Sequence, residues 1–415
     1  MKVGVENAWA SFLRQDLWFA RGLSSILALR VVEKLTGFVL SLFLFRMMGK
    51  EQVADYGFIQ TVVAICAVFG IQEFRNTISQ SVARGYHGVY RQAVPLAFKW
   101  SLVGATILSG FGAWYFCSGK AQLGLGFLIA AGLFPAFTAL SQWKGVYLGE
   151  KNFNRFAMAE ASNAILKALL IIAALYAFPG AIIVPVLVFF AVPAAQNIRQ
   201  TLLCHQSIPK QSVVEEGAIA YGLNSNLYAG ISTVANQIDR ILIFTLLSPP
   251  LLAIFMAAEK FPELLQSVEQ DIGAVLAPKF STITRYTLRL DDMLKLGSLV
   301  MGVFFILFAI FALPSLVVLF FGQSYRESVV YAQLLVGALA VRNASSLRFR
   351  FIRSKLDAYS YRNVLIIGSA VKIVASVTLI HLFGLGGAVA SVFIHRLTIS
   401  AVIGNAIRTK YFKKC

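Results

Sequence analysis

A chain of 415 residues that is 58% hydrophobic and only 13% charged, with a mean hydropathy of +0.72, carries more apolar surface than a water-soluble fold can hide, soluble domains being about 25% charged. The solvent around most of it is therefore lipid. The net charge of +18 then reads as orientation signal and contact with anionic headgroups, which excludes a nucleic-acid-binding reading and leaves no soluble domain large enough for a conventional enzyme site.

At the start of the chain, charges are spread through residues 1–21 and no uninterrupted apolar core occurs, so no cleavable signal peptide is expected. Trp9, Phe12, Leu13 and Leu17 recur there at helical spacing, as in a short helix lying at the membrane surface. Apolar runs long enough to cross a bilayer follow at 23–47, 54–73, 92–117, 122–143, 156–178, 180–203, 218–247, 251–276, 294–321, 327–347, 360–383 and 386–407. Helix-breaking chemistry stands at the expected connections, Phe178-Pro179-Gly180, Ser248-Pro249-Pro250 and Gly384-Leu385-Gly386-Gly387. The fold class expected is an all-α polytopic membrane protein, with twelve transmembrane helices in two six-helix bundles, parallel repeats, around a central cleft. Its parts are an interfacial segment (1–21), an N-terminal bundle (22–210), a C-terminal bundle (211–408) and a cytoplasmic tail (409–415). With the N-terminus inside, the Lys and Arg residues of the connections and span ends all fall on the cytoplasmic side except Arg46, Lys50, Lys120 and Arg326, so both termini are expected in the cytoplasm.

The halves repeat at a shift of about 205 residues. Val32-Glu33-Lys34 corresponds to Ile238-Asp239-Arg240, Lys167 to Lys372, and the Phe178-Pro179-Gly180 turn to Phe383-Gly384. Six spans per copy is an even number, so both copies enter the membrane in the same direction.

Arg30, Lys34, Lys99, Lys167, Arg240, Lys260, Lys372 and Arg396 fall inside the runs. Each costs about 2.5 to 3.5 kcal/mol at a helix centre, so each should meet a cavity or a partner. The acids available there are Glu33, Glu160, Asp239, Glu259, Glu263, Glu269 and Asp271. Sequence neighbours point about 100° apart on a helix, so Glu33 and Asp239 should find bases on other helices than their own. Polar stripes run along the first span (Arg30, Glu33, Lys34, Gly37, Ser41), the fifth (Glu160, Asn163, Lys167), the seventh (Thr233, Asn236, Gln237, Arg240) and the eleventh (Ser369, Lys372, Ser376). Two uses fit these charges, a polar cavity with a coupling site and ion pairs that lock helices together. Lys99 and Arg396 are read as snorkelling to an interface. In the eighth span Glu259, Lys260, Pro262 and Glu263 stand together, and proline is expected to kink the helix, as a gate, an ion site or a structural bend.

No Walker A sequence, His-Glu-x-x-His helix or Gly-x-Ser-x-Gly elbow occurs, so ATP hydrolysis is not expected. Cys66, Cys117, Cys204 and Cys415 have neither metal nor pairing spacing, the four histidines are scattered, and Asp291-Asp292 reads as solvated charge, so no metal is assigned.

Phe45-Arg46-Met47-Met48-Gly49-Lys50-Glu51 followed by Asp55-Tyr56-Gly57, Tyr147-Leu148-Gly149-Glu150, and Asn236-Gln237-Ile238-Asp239-Arg240-Ile241-Leu242-Ile243 are degenerate motifs spread over the whole chain. In these and in its twelve-span length the sequence resembles the Wzx-type polysaccharide repeat-unit flippases of the multidrug/oligosaccharidyl-lipid/polysaccharide export superfamily. It departs from their pattern at Ser248-Pro249-Pro250, which lacks the Gly-x-Tyr common there. The resemblance implies a non-enzymatic flippase of the bacterial inner membrane, acting in O-antigen or other lipopolysaccharide synthesis. It would carry a short glycan on undecaprenyl pyrophosphate from the cytoplasmic to the periplasmic leaflet by alternating access. Arg30, Lys34, Lys167, Arg240, Lys372, Asn236 and Gln237 would then line the substrate cavity, with Glu33, Asp239, Glu259 and Lys260 for charge balance or coupling. The implied partners are the lipid-linked glycan, membrane lipids, and polymerase and chain-length regulator proteins. No cofactor is implied, and the gradient to couple is of protons or sodium. The rivals are a cation-coupled multidrug or metabolite exporter of the same fold and a membrane polysaccharide polymerase or ligase. The excess of base over acid speaks against the first, and the short outer connections against the second.

Overall fold

The computed structural model describes residues 28–209, 211–282, 288–354 and 358–412, and among them every regular element is helical. The interfacial segment expected at 1–21 lies outside the described residues, as does the end of the tail. The helices are α1 (residues 28–47), α2 (Lys50–Cys66), α3 (Phe74–Ala83), α4 (Gly88–Cys117), α5 (Ala121–Thr138), α6 (Trp143–Gly149), α7 (Phe153–Ala177) and α8 (Ile183–Ser207) in the first half. The second half holds α9 (Ala218–Leu242), α10 (Pro249–Thr282), α11 (Leu288–Phe311), α12 (Leu313–Phe321), α13 (Ser328–Ser354) and α14 (Ala358–Ala406). Each of the twelve apolar runs falls on a helix, the ninth divided between α11 and α12, and the last two forming the limbs of α14.

Seven of the described helical stretches are long and apolar enough to cross a membrane by length and composition. Helices α1, α9, α10 and α13 are not among them; the apolar part of α13, Ser328–Asn343, is short. Helices α1, α9 and α10 carry Arg30 and Glu33, Asp239 and Arg240, and Glu259 to Glu263, residues that a spanning helix holds only against a partner or a cavity.

Two compact units form, one of Met1–Ser41 and Cys66–Asn226, the other of Leu42–Ile65 and Leu227–Cys415. In the first, α4 packs on α5, α5 on α8, and α8 on α7. Short α3 presents Phe74, Ile78 and Val82 four residues apart, so all three fall on one face, and they are buried with Tyr90 of α4 and with Trp143 and Val146 of α6. Asn197 of α8 ties this core to α5. Its Nδ2 donates to the carbonyls of Ala136 (3.1 Å) and Phe137 (2.9 Å), while its Oδ1 accepts from Trp143 Nε1 (3.0 Å). The connection from α8 to α9 is fastened to the same unit. Arg91 donates to the carbonyls of His205 (2.6 Å) and Ile208 (3.0 Å), completing the end of α8, where backbone acceptors lack helical partners. Glu215 accepts from Ser81 (2.6 Å) and Arg84 (2.7 Å).

In the second unit α13 is central and packs against α10, α11 and α14. Gln333 and Asn343 of α13 donate to the carbonyls of Ala309 (3.0 Å) and Ser298 (3.2 Å) on α11. The tip between α1 and α2 belongs here too. Arg46 donates to the carbonyls of Phe320 (2.9 Å) and Leu319 at the C-terminal end of α12, placing a cation where helix dipole and orphan acceptors favour one. Phe45 beside it meets the rings of Phe321 and Tyr325 at 4.8 and 5.1 Å. Halfway along α14 the backbone leaves helical geometry at Gly384 (φ 57, ψ −133), a conformation closed to most L residues. The two limbs of α14 are thereby brought together, and the site below depends on that bend.

Candidate functional site

The charges of the membrane-crossing runs gather into two clusters, one in each unit. In the second unit Asp239 on α9 and Lys372 on the first limb of α14 are 4% and 3% exposed. Lys372 Nζ donates to Asp239 Oδ2 and, at 2.9 Å, to Ser391 Oγ on the second limb. Ser391 Oγ lies 3.3 Å from Asp239 Oδ1 and 3.2 Å from Ser376 Oγ. The carboxylate thus has both oxygens engaged, which is the condition for holding such a pair away from water. One turn of helix alone could not make this arrangement, because Ser391 reaches Lys372 only through the bend at Gly384.

Arg240, next to Asp239, points elsewhere. Its guanidinium donates to Glu259 (2.9 Å from Nε, 2.8 Å from Nη2) and to Glu263 (3.2 Å), and Lys260 donates to Glu263 at 3.1 Å. Helix α10 is continuous through Pro262, and Glu259 and Glu263 stay one turn apart on a single face where one guanidinium reaches both. A cavity of 110 Å³ lies among these helices, its lining including Asn236, Asp239, Glu259, Gln266, Lys372 and Arg396. Arg396 does not snorkel. It lines that cavity and donates to Gln266 Oε1 at 3.3 Å. Lys99, by contrast, is exposed. Beside Arg396, His395 donates from Nδ1 to the Gly368 carbonyl at 2.9 Å, again joining the two limbs of α14.

In the first unit Lys144 on α6 donates to Glu160 Oε2 on α7 at 2.6 Å. Glu33 of α1 has Glu160, Lys144, Lys167 and Arg30 as its charged neighbours. Lys167 Nζ stands 4.8 Å from the centre of the Phe189 ring, a cation–π contact. Glu160 Oε1 and Asn163 Oδ1 are buried acceptors without a hydrogen-bond partner among the described residues.

Of the residues singled out in the sequence, the structure brings together Asp239, Arg240, Glu259, Lys260, Lys372 and Asn236 in the second unit, and Arg30, Glu33 and Lys167 in the first. Lys34 adjoins Glu33 in sequence and is half-buried. Gln237 is not in the lining of the cavity, and its Oε1 is buried without a partner among the described residues. Sequence reasoning missed Lys144, Arg342, Gln266 and Ser391. Lys144 follows the last residue of an expected span and so reads as part of a connection, although α6 follows α5 after a single 3-10 turn (Ala139–Gln142). Arg342 had a visible signal, since it stands inside the run 327–347. Ser391 had none, because a lone serine among apolar residues is common in spanning helices. Asp291 is buried and bridges Arg348 (3.0 Å) and Lys295 (2.7 Å), and no metal-binding cluster occurs among the described residues.

The family described as polysaccharide biosynthesis protein matches residues 19–284. No curated protein sequence matches. Among solved structures, the lipid II flippase MurJ in an inward closed conformation superposes with a TM-score of 0.70 at 14% identity, covering 92% of this chain and 88% of MurJ. An inward-facing multidrug resistance MATE family transporter of the MOP superfamily gives 0.65 at 14% identity, covering 91% and 96%. A MOP superfamily transporter from Pyrococcus furiosus, described as having a binding pocket of reverse polarity, gives 0.59 at 14% identity, covering 96% and 95%. Family and fold together support a multi-pass membrane protein whose fold is shared with known flippases and exporters. In agreement with the resemblance of its sequence to Wzx-type flippases, the chain belongs to the polysaccharide biosynthesis protein family and has the all-helical fold of the MOP superfamily.

Proposed function

We propose that the protein is a flippase that moves undecaprenyl-pyrophosphate-linked oligosaccharide repeat units from the cytoplasmic to the periplasmic leaflet by alternating access. The observation that carries this reading is the composition of the two charge clusters. Around Glu33 and Glu160 stand Arg30, Lys144 and Lys167, and around Asp239, Glu259, Glu263 and Glu269 stand Arg240, Lys260, Arg342, Lys372 and Arg396. In both, bases outnumber acids, and each charge costs several kcal/mol to place in the membrane. An anionic headgroup makes such an excess worth its cost. Guanidinium and ammonium groups bind pyrophosphate oxygens, and amides such as Asn236 and Gln237 suit sugar hydroxyls. Arg30, Lys34, Lys167, Arg240 and Lys372 provide the cationic lining, while Glu33, Asp239, Glu259 and Lys260 balance charge or couple transport to a proton or sodium gradient.

The setting is the bacterial inner membrane with both termini in the cytoplasm, in the company of a polysaccharide polymerase and a chain-length regulator. A second reading, a cation-coupled exporter, draws on the MATE fold, but a cationic substrate would meet more base than acid in both clusters. The test is surface glycan in cells carrying Arg240→Ala or Lys34→Ala. Glycan should disappear while the protein stays in the membrane, and normal glycan in both variants refutes the assignment.

A further inference from the structure

Two serines stand with the Asp239–Lys372 pair, and their hydrogens are directed away from it. Ser391 donates to the Ala388 carbonyl and Ser376 to the Lys372 carbonyl, each at 2.7 Å, the shortest contact either hydroxyl makes. Ser391 Oγ therefore meets Lys372 Nζ as an acceptor at 2.9 Å, and Ser376 Oγ lies 3.2 Å from Ser391 Oγ. Asp239 Oδ2 accepts from the same ammonium. These oxygens come from α9 and from both limbs of α14, and all four residues are buried.

An ion pair that only joins helices does without hydroxyls, as Lys144 does with Glu160 at 2.6 Å. Carboxylate and hydroxyl oxygens gathered as acceptors are instead the donor set of a hard cation. One carboxylate brings one negative charge, so a monovalent ion neutralises the set, where a divalent one would leave a buried excess. Asp239 and Lys372 also border the 110 Å³ cavity, which gives an ion from water a way to these oxygens. The position such an ion would take is held by Lys372 Nζ, carried there from the first limb of α14 on a flexible stem.

We infer that Asp239, Ser376 and Ser391 form a monovalent-cation site of the alkali-metal class whose resident cation is the ammonium of Lys372. The second unit thus carries its cation on its own side chain and takes up no free sodium at these oxygens while Lys372 is in place. The inference rests on the coupling role proposed above for Asp239 and narrows it, because a sodium gradient has no exchangeable ion to act on in this site. Removing the side chain of Lys372 should uncover the site and turn it over to sodium.

The test is thermal unfolding of the purified full chain in detergent, with sodium chloride titrated against choline chloride at constant ionic strength. The parent unfolds at the same temperature in both salts. Lys372→Ala unfolds below the parent in choline, and sodium raises its midpoint saturably by about 2 °C or more, the shift expected at about ten times the dissociation constant. Adding Asp239→Asn to that variant abolishes the response. Lys372→Met removes the charge but fills the space, so it loses stability and gains no sodium response, a difference that a merely structural pair does not produce. Recovery of folded Lys372→Ala in sodium but not in choline supports the site equally. Should neither salt yield folded Lys372→Ala, Lys372→Ser is judged by the same criteria, and failure of both variants to fold in sodium overturns the inference. It is also overturned by a sodium-specific shift in the parent that Asp239→Asn removes, by none in Lys372→Ala, or by one there that survives Asp239→Asn. No transport enters this measurement, so its failure leaves the flippase reading standing. Normal glycan in Arg240→Ala and Lys34→Ala cells together with a sodium-responsive Lys372→Ala would sink that reading and leave the cation site.

Discussion

Lys372 and Asp239 hold opposite charges where water hardly reaches, so each is stable only while the other is present. Removing one partner of a buried pair costs about 3 to 5 kcal/mol, whereas replacing both with apolar groups of similar size is close to neutral. Lys372→Met alone should therefore lower the thermal unfolding midpoint sharply, and Lys372→Met with Asp239→Leu should recover most of the loss. Equal loss in the single and double variants would show that the pair is not the source of the stability. Glu215 makes the same point in water. The Arg84 guanidinium first, and the Ser81 hydroxyl after it, hold its carboxyl below the ordinary value of 4.5. A depressed carboxyl contributes stability above the ordinary value and loses it as pH falls through the depressed one. The fastening of the α8–α9 connection should thus be intact at pH 6 and weaken below pH 4.5. Glu215→Gln should flatten that part of the unfolding midpoint against pH. That the acids beside Lys34 and Arg240 would not pair with their sequence neighbours was legible from helical geometry. Which helix supplies the partner was not, because periodicity gives a face and never a neighbour.

Helices are where apolar patterning speaks most clearly, and α4, α5, α7 and α8 lie where their runs place them. The misses have physical causes. Helix α3 is short and polar on one side, so it falls between two apolar runs, although Phe74, Ile78 and Val82 have the spacing of a buried face. The run 294–321 conceals the division at Ala312 between α11 and α12, although Pro314 at the start of α12 marks it in the sequence. The bend in α14 was legible as a glycine-rich turn, but its tightness was not. A side chain at Gly387 would bring Cβ to 1.8 Å from the Leu379 carbonyl oxygen. Gly387→Ala should therefore disturb the approach of Ser391 to Lys372 and lower the yield of folded protein, read by size-exclusion chromatography in detergent. Unchanged yield and stability would mean that the limbs tolerate separation.

At the scale of the whole molecule, the duplication seen in sequence agrees with the packing inside each unit. The chain α4, α5, α8 of neighbours in the first has its counterpart in α11, α13, α14 in the second, and Lys167 and Lys372 occupy corresponding helices, α7 and the first limb of α14. The two lysines are used differently, one over an aromatic ring and the other in an ion pair, so the copies have diverged in detail while keeping the charge. The distribution of loop bases predicts that a reporter fused after Cys415 is active only in its cytoplasmic form, and activity of a periplasmic reporter there would reverse the topology. The account as a whole depends on the passage of an anionic lipid headgroup past buried arginine and lysine. Its most direct measurement is translocation of a fluorescent undecaprenyl-pyrophosphate-linked oligosaccharide in proteoliposomes, followed by quenching of the outer leaflet. The account predicts leaflet exchange with the parent protein and its loss in Arg240→Ala. Exchange at an unchanged rate in that variant, or none with the parent under either a proton or a sodium gradient, would contradict it.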